Sequence, residues 1–319
     1  MVVVDEVASL INIHNGDAML VYAKREGLPG EHIAFRESLV AGPVVPSADW
    51  LSARAHFLSS AYREELLRTS NSLFEQEQAL NAAAEQDEIV LWFEHDLFCL
   101  VNFLYLLTRF RGRNVSFVWC SDPLALRAAA DVWLLFESRT PATPAVFDIA
   151  ARGWGSYTSS DPRLLNDVFS SAPNDLPFLR DGMRLHASRF PSVRNGLGSV
   201  ENRLLTIIAS GANDFATLFP LFDEKPPRFG FGDSQVLYVL RYLASRPVPV
   251  ITMTEAHEVP PKATFAITPA GQNVLTGKVD DTTVNDPDFW LGGVHLTKEN
   301  LWRWDEAHGE ILPSRLAGS

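Results

Sequence analysis

Residues 88–107 read EIVLWFEHDLFCLVNFLYLL. Ile89 to Phe93 is a continuous run of bulky apolar residues, the pattern of a strand buried on both faces in a parallel sheet. Glu94, His95 and Asp96 follow, and then an apolar segment of helical length. Asp96 stands where a helix N-cap belongs, its carboxylate placed to accept from the free N–H groups of the first turn. In open parallel sheets, ligands bind beyond the carboxyl ends of strands, where strand hands over to helix. Glu94, His95 and Asp96 occupy that place, so this strand, acidic turn and helix form the centre of the chain.

A similar arrangement lies upstream. LINIHNGDAMLVYAKREG, residues 10–27, reads as a short strand, a tight turn at Asn15-Gly16, and a helix capped by Asp17 and ended near Gly27. Strand, glycine turn and helix N-terminus make an anion-binding arrangement. A plain turn and cap is the competing reading, because Asp17 places a negative charge there. EHIAFRESLVAGPVVP, residues 31–46, supplies a second strand over His32–Phe35, with Arg36 and Glu37 at its end and Gly42-Pro43 in the loop beyond. Helices follow near Trp50–Arg63 and Glu64–Glu85, and Val115–Cys120 is a fourth β run. Strands alternating with helices indicate a Rossmann-like α/β domain with a largely parallel sheet, placed at residues 1–122.

INIHNGD, FRESLVAGP and LWFEHDLF, at these separations, resemble the bacterial domain of unknown function 1835 family. That family carries an HxxNGD-like first motif, a WRDxLxxGP second motif and a WFEHDL[FY]DQ third motif. The resemblance implies an α/β domain over roughly residues 8–120 and names no reaction. Glu37 stands where the second motif has Asp, and Cys99-Leu100 where the third has Asp-Gln.

The net charge of −12 argues against a large electrostatic footprint for nucleic acid or an anionic membrane. Cys99 and Cys120 make neither a disulfide framework nor a four-sulfur metal site, and read as buried free thiols of a reducing compartment. MVVVDEVASL is acidic where a signal peptide is basic, and no apolar run approaches bilayer length. A cytoplasmic setting without membrane association is expected.

Residues 123–198 read as a helical connector without a convincing strand, with helices over Leu124–Ser138, Pro144–Tyr157, Asp161–Ser171 and Leu176–Phe190. Residues 199–278 then read as three helices (Glu201–Ser210, Asp214–Phe222, Asp233–Ser245) and a hairpin (Val248–Thr254 with Thr264–Thr268). This is a winged-helix-like C-terminal domain. From Ser199 to Gly277 it offers six Lys/Arg against seven Asp/Glu and no basic face, which favours a structural or dimerising wing over a DNA reader. In the tail, 279–319, Trp290-Leu-Gly-Gly-Val-His295 and Trp302-Arg303-Trp304-Asp305 extend the family resemblance, whose members end in WIGG–H–WRWD text. The tail is expected to pack back, either with His295 and Arg303 contacting a ligand or as a packing strap.

The candidate set at the strand ends is Asn15, Gly16, Asp17, Arg36, Glu37, Glu94, His95 and Asp96. Three chemistries remain open. Asp17, Glu94 and Asp96 could hold a divalent metal such as Mg²⁺ for reaction at a phosphate. Without a metal, Glu94 could be a general base and His95 a general acid, with His95 raised in pKa by its acidic neighbours. The crevice could also bind a nucleotide-like ligand without chemistry and signal to the wing. Beside these stand structural roles: N-caps for Asp17 and Asp96, and a surface pair for Arg36 and Glu37. No P-loop, GxGxxG, HExxH, GxSxG or paired CxxC is present. The leading expectation is an enzyme on a phosphorylated or nucleotide-like small molecule. The alternative is a ligand-sensing or DNA-associated regulator using the wing.

Overall fold

The structure is a computed structural model that describes residues 9–121, 124, 127–171, 176–222, 229–256 and 262–314. It has an α/β fold. The N-terminal half runs β1 (Leu10–Asn15), α1 (Asp17–Arg25), β2 (Glu31–Phe35), β3 (Gly42–Pro43), α2 (Trp50–Tyr62), α3 (Leu66–Ala83), β4 (Glu88–Glu94), α4 (Leu97–Arg109) and β5 (Val115–Cys120). Then come α5 (Ala129–Glu137), β6 (Thr140–Pro141), α6 (Pro144–Thr158), α7 (Leu164–Ser171) and α8 (Leu179–Ala187). The main sheet has the order β2-β1-β4-β5-β6. Its first four strands are parallel, with Ile13 beside Ile33 and Leu91, and Phe93 beside Trp119.

The run Ile89–Phe93 is apolar throughout because both faces of β4 are covered. Ile89, Leu91 and Phe93 join the large core with α4 and α6. Val90 and Trp92 join a second core with Met19 and Tyr22 of α1 and Val132 and Phe136 of α5. All five residues are fully buried. Two helix layers on a parallel sheet remove the alternation that a half-exposed strand would show.

Two expectations need correction here. The stretch expected to lack strands contributes β6, a two-residue antiparallel edge against Ser116 and Phe117. Pro141 is tolerated there because an edge strand needs no inward N–H. The helix after Gly16 begins with Asp17 itself; Gly16 is its N-cap, at φ 91°, and no side chain caps it. Asp17 therefore does not act as the cap.

The C-terminal half holds α9 (Ser199–Ala209), α10 (Phe215–Phe222) and α11 (Asp233–Ala244), then an antiparallel hairpin of β7 (Ile251–Ala256) and β8 (Lys262–Ile267). After α12 (Pro269–Leu275) and α13 (Asp281–Val284) the chain returns to the sheet region. There β9 (Phe289–Gly292) pairs in parallel with β3 and antiparallel with β10 (Val294–Leu296). The Val44 N–H also donates to Gly292 O at 2.9 Å. A last hairpin joins β11 (Trp302–Asp305) to β12 (Glu310–Pro313). Cβ atoms at Gly292 and Gly293 would lie 2.2 and 2.0 Å from the carbonyl oxygens of Tyr157 and Thr158, so the tail lies backbone-to-backbone on the end of α6. Among the described residues no helix is long and apolar enough to cross a membrane.

Candidate functional site

The strand order fixes where a site belongs. From β1 the chain crosses to β2 on one side, and β4 lies on the other. The carboxyl ends of β1 and β4 therefore flank the topological switch point, the usual crevice of an open parallel sheet. A cavity of about 270 Å³ opens there, lined by Asn15, Glu94, Asp96, Cys99 and the Gly230–Gly232 segment, with Met19 and Trp92.

Asp96 is the N-cap of α4 and accepts from the Cys99 N–H at 2.7 Å. Burial pushes its carboxyl up to about 7, with a smaller push from the nearby Glu94 charge, against the stabilising bond from Cys99. Glu94 is also raised by burial, and the Leu124 N–H, donating at 2.8 Å, opposes the rise. The Cys99 thiol lies well above its ordinary value because it is buried beside the two carboxyls, so it is a thiol rather than a thiolate. Asn15 bridges this wall: its Nδ2 donates to Cys99 Sγ at 3.0 Å, and its Oδ1 accepts from Asn102 Nδ2 at 2.9 Å.

Other candidates are placed elsewhere. Asp17 forms a two-pronged pair with Arg36, closest at 2.6 Å, with 59% and 55% of the side chains exposed. The Arg36 hydrogen bond holds Asp17 below the ordinary carboxylate value. The pair sits on a neighbouring cleft of about 460 Å³ that also holds Arg68 and Phe98. The expected surface pair of Arg36 with Glu37 does not form. Glu37 is turned inward against Arg54 at 2.6 Å, both side chains nearly inaccessible. Arg54 also donates to the carbonyls of Ser38, Ala41 and Pro43, so Glu37 serves to anchor the guanidinium that folds the loop before β3.

His95 faces away from the carboxyls despite its position between them. Its ring stacks on Phe178 at 5.5 Å and lies 4.8 Å from Trp119, and Nε2 is buried without a partner. Burial lowers its pKa, the reverse of the expectation from its acidic sequence neighbours. Adjacent residues at a strand end point in opposite directions, so sequence adjacency does not make an ion pair. His295 pairs with Asp288 at 2.8 Å and stacks on Trp290, while Arg303 holds Asp280 and donates to Ser192 O at 2.6 Å. Neither lines the cavity. The expected grouping of Asp17, Glu94 and Asp96 around a metal ion does not form. Among the described residues no set of three His, Cys, Asp or Glu side chains is placed to hold one.

Two features escape the sequence reading. His14, fully buried on β1, bonds through Nε2 to His32 Nδ1 at 2.9 Å, and His32 Nε2 lies 3.0 Å from Leu28 O. That carbonyl requires an N–H from His32, so His32 Nδ1 accepts and His14 donates, leaving His14 Nδ1 buried without a donor. Burial drives His14 down to about 3, so the pair is neutral. The second is the Phe-Gly-Phe-Gly run, Phe229–Gly232, whose alternating glycines are its only sequence signal. Trp92, on β4, completes the wall and donates from Nε1 to Asn12 Oδ1 at 3.0 Å. No protein-family model matches the chain, and no curated protein matches it.

Proposed function

We propose that the switch-point cavity binds a small phosphorylated or nucleotide-like molecule and acts on it by proton transfer. The observation that carries this reading is the placement of two carboxyls, the buried Asp96 and the half-buried Glu94, on one cavity at the ends of the central strands. A carboxyl near 7 is matched to neutral pH as a general acid or base, and Asp96 takes that role. Glu94, steadied by the Leu124 N–H, is the second member of the pair, either orienting the substrate or balancing its charge.

The phosphate assignment rests on the next cleft. The α1 N-terminus has no side-chain cap, and such termini favour anions. Arg36 stands beside it, held by an exposed ion pair of the kind that contributes about 0–1 kcal/mol, so a phosphate can replace Asp17 with little loss. No step is assigned to a metal ion, because the carboxylates do not converge on one.

A ligand-sensing regulator is the second reading, with α9–α11 and the β7–β8 hairpin acting as a winged-helix-like region. It is favoured by one observation: Gly232 on the cavity wall is also the N-cap of α11, and α11 reaches the hairpin through Arg241 and Glu255. Membership of the domain of unknown function 1835 family, a cytoplasmic setting and a homodimer belong to the same proposal.

A melting-point screen of wild type with nucleotides and sugar phosphates, with and without Mg²⁺, tests the assignment. A ligand at 100 times its Kd adds about 2.7 kcal/mol of stability. Asp96→Asn and Glu94→Gln should abolish turnover of the ligand found. If no member of the class raises the melting point, or both variants turn it over as wild type does, the assignment fails. Ligand binding without turnover, combined with salt-sensitive binding to duplex DNA, would promote the regulator.

A further inference from the structure

Phe229–Gly232 comes from the C-terminal half of the chain, yet its residues 230–232 form one wall of the cavity at the ends of β1 and β4. It is held at both ends. Phe229 O accepts from the Phe98 N–H at 3.0 Å, satisfying a first-turn donor of α4. At the other end the Gly232 N–H donates to Gln235 Oε1 at 2.9 Å, and Gln235 Nε2 donates to Tyr62 Oη at 3.0 Å. Between these anchors Phe231 is buried under the Arg189 guanidinium, 5.4 Å from the ring centre, and Phe229 packs on Phe222.

Gly230 sits on the carboxyl itself. Its φ is +66°, and a Cβ there would lie 2.2 Å from Asp96 Oδ1 and 2.4 Å from Cγ. No side chain fits without moving either the segment or the carboxyl. The backbone at Gly230 thus covers one side of the Asp96 carboxyl and helps keep that residue nearly inaccessible.

We infer that Phe229–Gly232 is the positioning element of this site: it seats the Asp96 carboxyl and shields it from water, making the site a joint product of the parallel sheet and α11. The inference rests on the switch-point cavity being the functional site. Asp96 supplies the proton-exchanging group and Gly230 acts through it. Anything that lifts α11 and its leading segment also rehydrates Asp96, and an occupant of the cavity bears on α11 in return.

The test follows the carboxyl directly, with no ligand. Carbon NMR of aspartate-labelled full-length protein reads the Asp96 titration, assigned by its loss in Asp96→Asn. Wild type should titrate near 7. Gly230→Ala should bring it down by about 1 or more on the pH scale, toward the ordinary carboxylate range, as water enters. Gly112→Ala is the control for backbone strain, since Gly112 has φ +84° with nothing within 4 Å of a Cβ, and it should leave Asp96 unmoved. Should Gly230→Ala fail to fold, Phe231→Leu thins the same wall and should move Asp96 in the same direction. If Gly230→Ala (or Phe231→Leu in its place) titrates as wild type, or Gly112→Ala moves Asp96 as much, the positioning role is overturned while the proton-transfer reading stands. If wild-type Asp96 already titrates in the ordinary range, both fall.

Discussion

Replacing Asp96 by Asn should make the protein more stable at neutral pH, and the gain should vanish in acid. The carboxyl is held from 3.8 up to about 7, chiefly by burial. At about 1.4 kcal/mol for each step of one in pKa, the fold disfavours the charged form by about 4 kcal/mol. Between these two values the native state binds more protons than the unfolded chain, so the favourable contribution is complete below about 4 and is lost as the pH rises to about 7. Asn stays neutral throughout and keeps an oxygen for the Cys99 N–H, now at 2.7 Å from Asp96 Oδ1. The variant should therefore match wild type within a few tenths of a kcal/mol near pH 4. By pH 8 it should exceed wild type by about 3–4 kcal/mol. Urea unfolding of both proteins at several pH values measures this, and titrations common to both cancel in the difference. A difference that stays flat to within about 1 kcal/mol across the range would show Asp96 ionised in the fold and refute the reasoning. A more stable but inactive variant is the usual mark of a site strained for function.

Arg54→Ala leaves the Glu37 charge buried and unpaired and should lower unfolding free energy by about 3–5 kcal/mol; adding Glu37→Gln should restore part of it in the same assay. Gly292→Ala and Gly293→Ala push a Cβ onto carbonyl oxygens at the end of α6, so each should destabilise by about 2 kcal/mol or more; a loss below half of that would mean the tail shifts freely. Asp17→Asn removes an exposed partner of Arg36 and should change stability by less than about 1 kcal/mol while tightening phosphate binding; calorimetry with inorganic phosphate decides the second part. His95, half-buried in its aromatic stack, should titrate below the ordinary 6.5 in a proton NMR series; a value above that would restore its ion pair with Glu94 or Asp96.

The sheet is legible in the sequence because burial on both faces leaves an unmistakable run, Ile89–Phe93, followed by a residue suited to cap a helix. Glu94, Asp96 and Asn15 meet for the same reason: parallel neighbours end together, and the residues after each strand share one edge. Direction is what the sequence withholds. His95 lies between two cavity residues in the chain and Glu37 between two residues of the neighbouring cleft, yet one turns to Phe178 and the other to Arg54. No local pattern distinguishes these outcomes, since the deciding partners are distant in sequence. Gly230 is hidden for the same reason, its contact with Asp96 being a product of tertiary packing alone. The two-residue strands β3 and β6 are too short to carry any periodicity.

The parallel pairing of β3 with β9 also bears on how the protein comes off the ribosome. Gly42 and Pro43 emerge early, but their partners Leu291 and Gly292 are translated only after most of the chain. Throughout synthesis the loop that Arg54 organises has no neighbour along that edge. A nascent chain stalled before Phe289 should therefore leave the β3 edge at Gly42 and Pro43 open to protease and to chaperones, and the arrival of β9 should close it in a single late step. Closing so large a loop adds little further entropic penalty, because the penalty grows only with the logarithm of its length. Order of arrival, more than energy, then sets when that edge is paired.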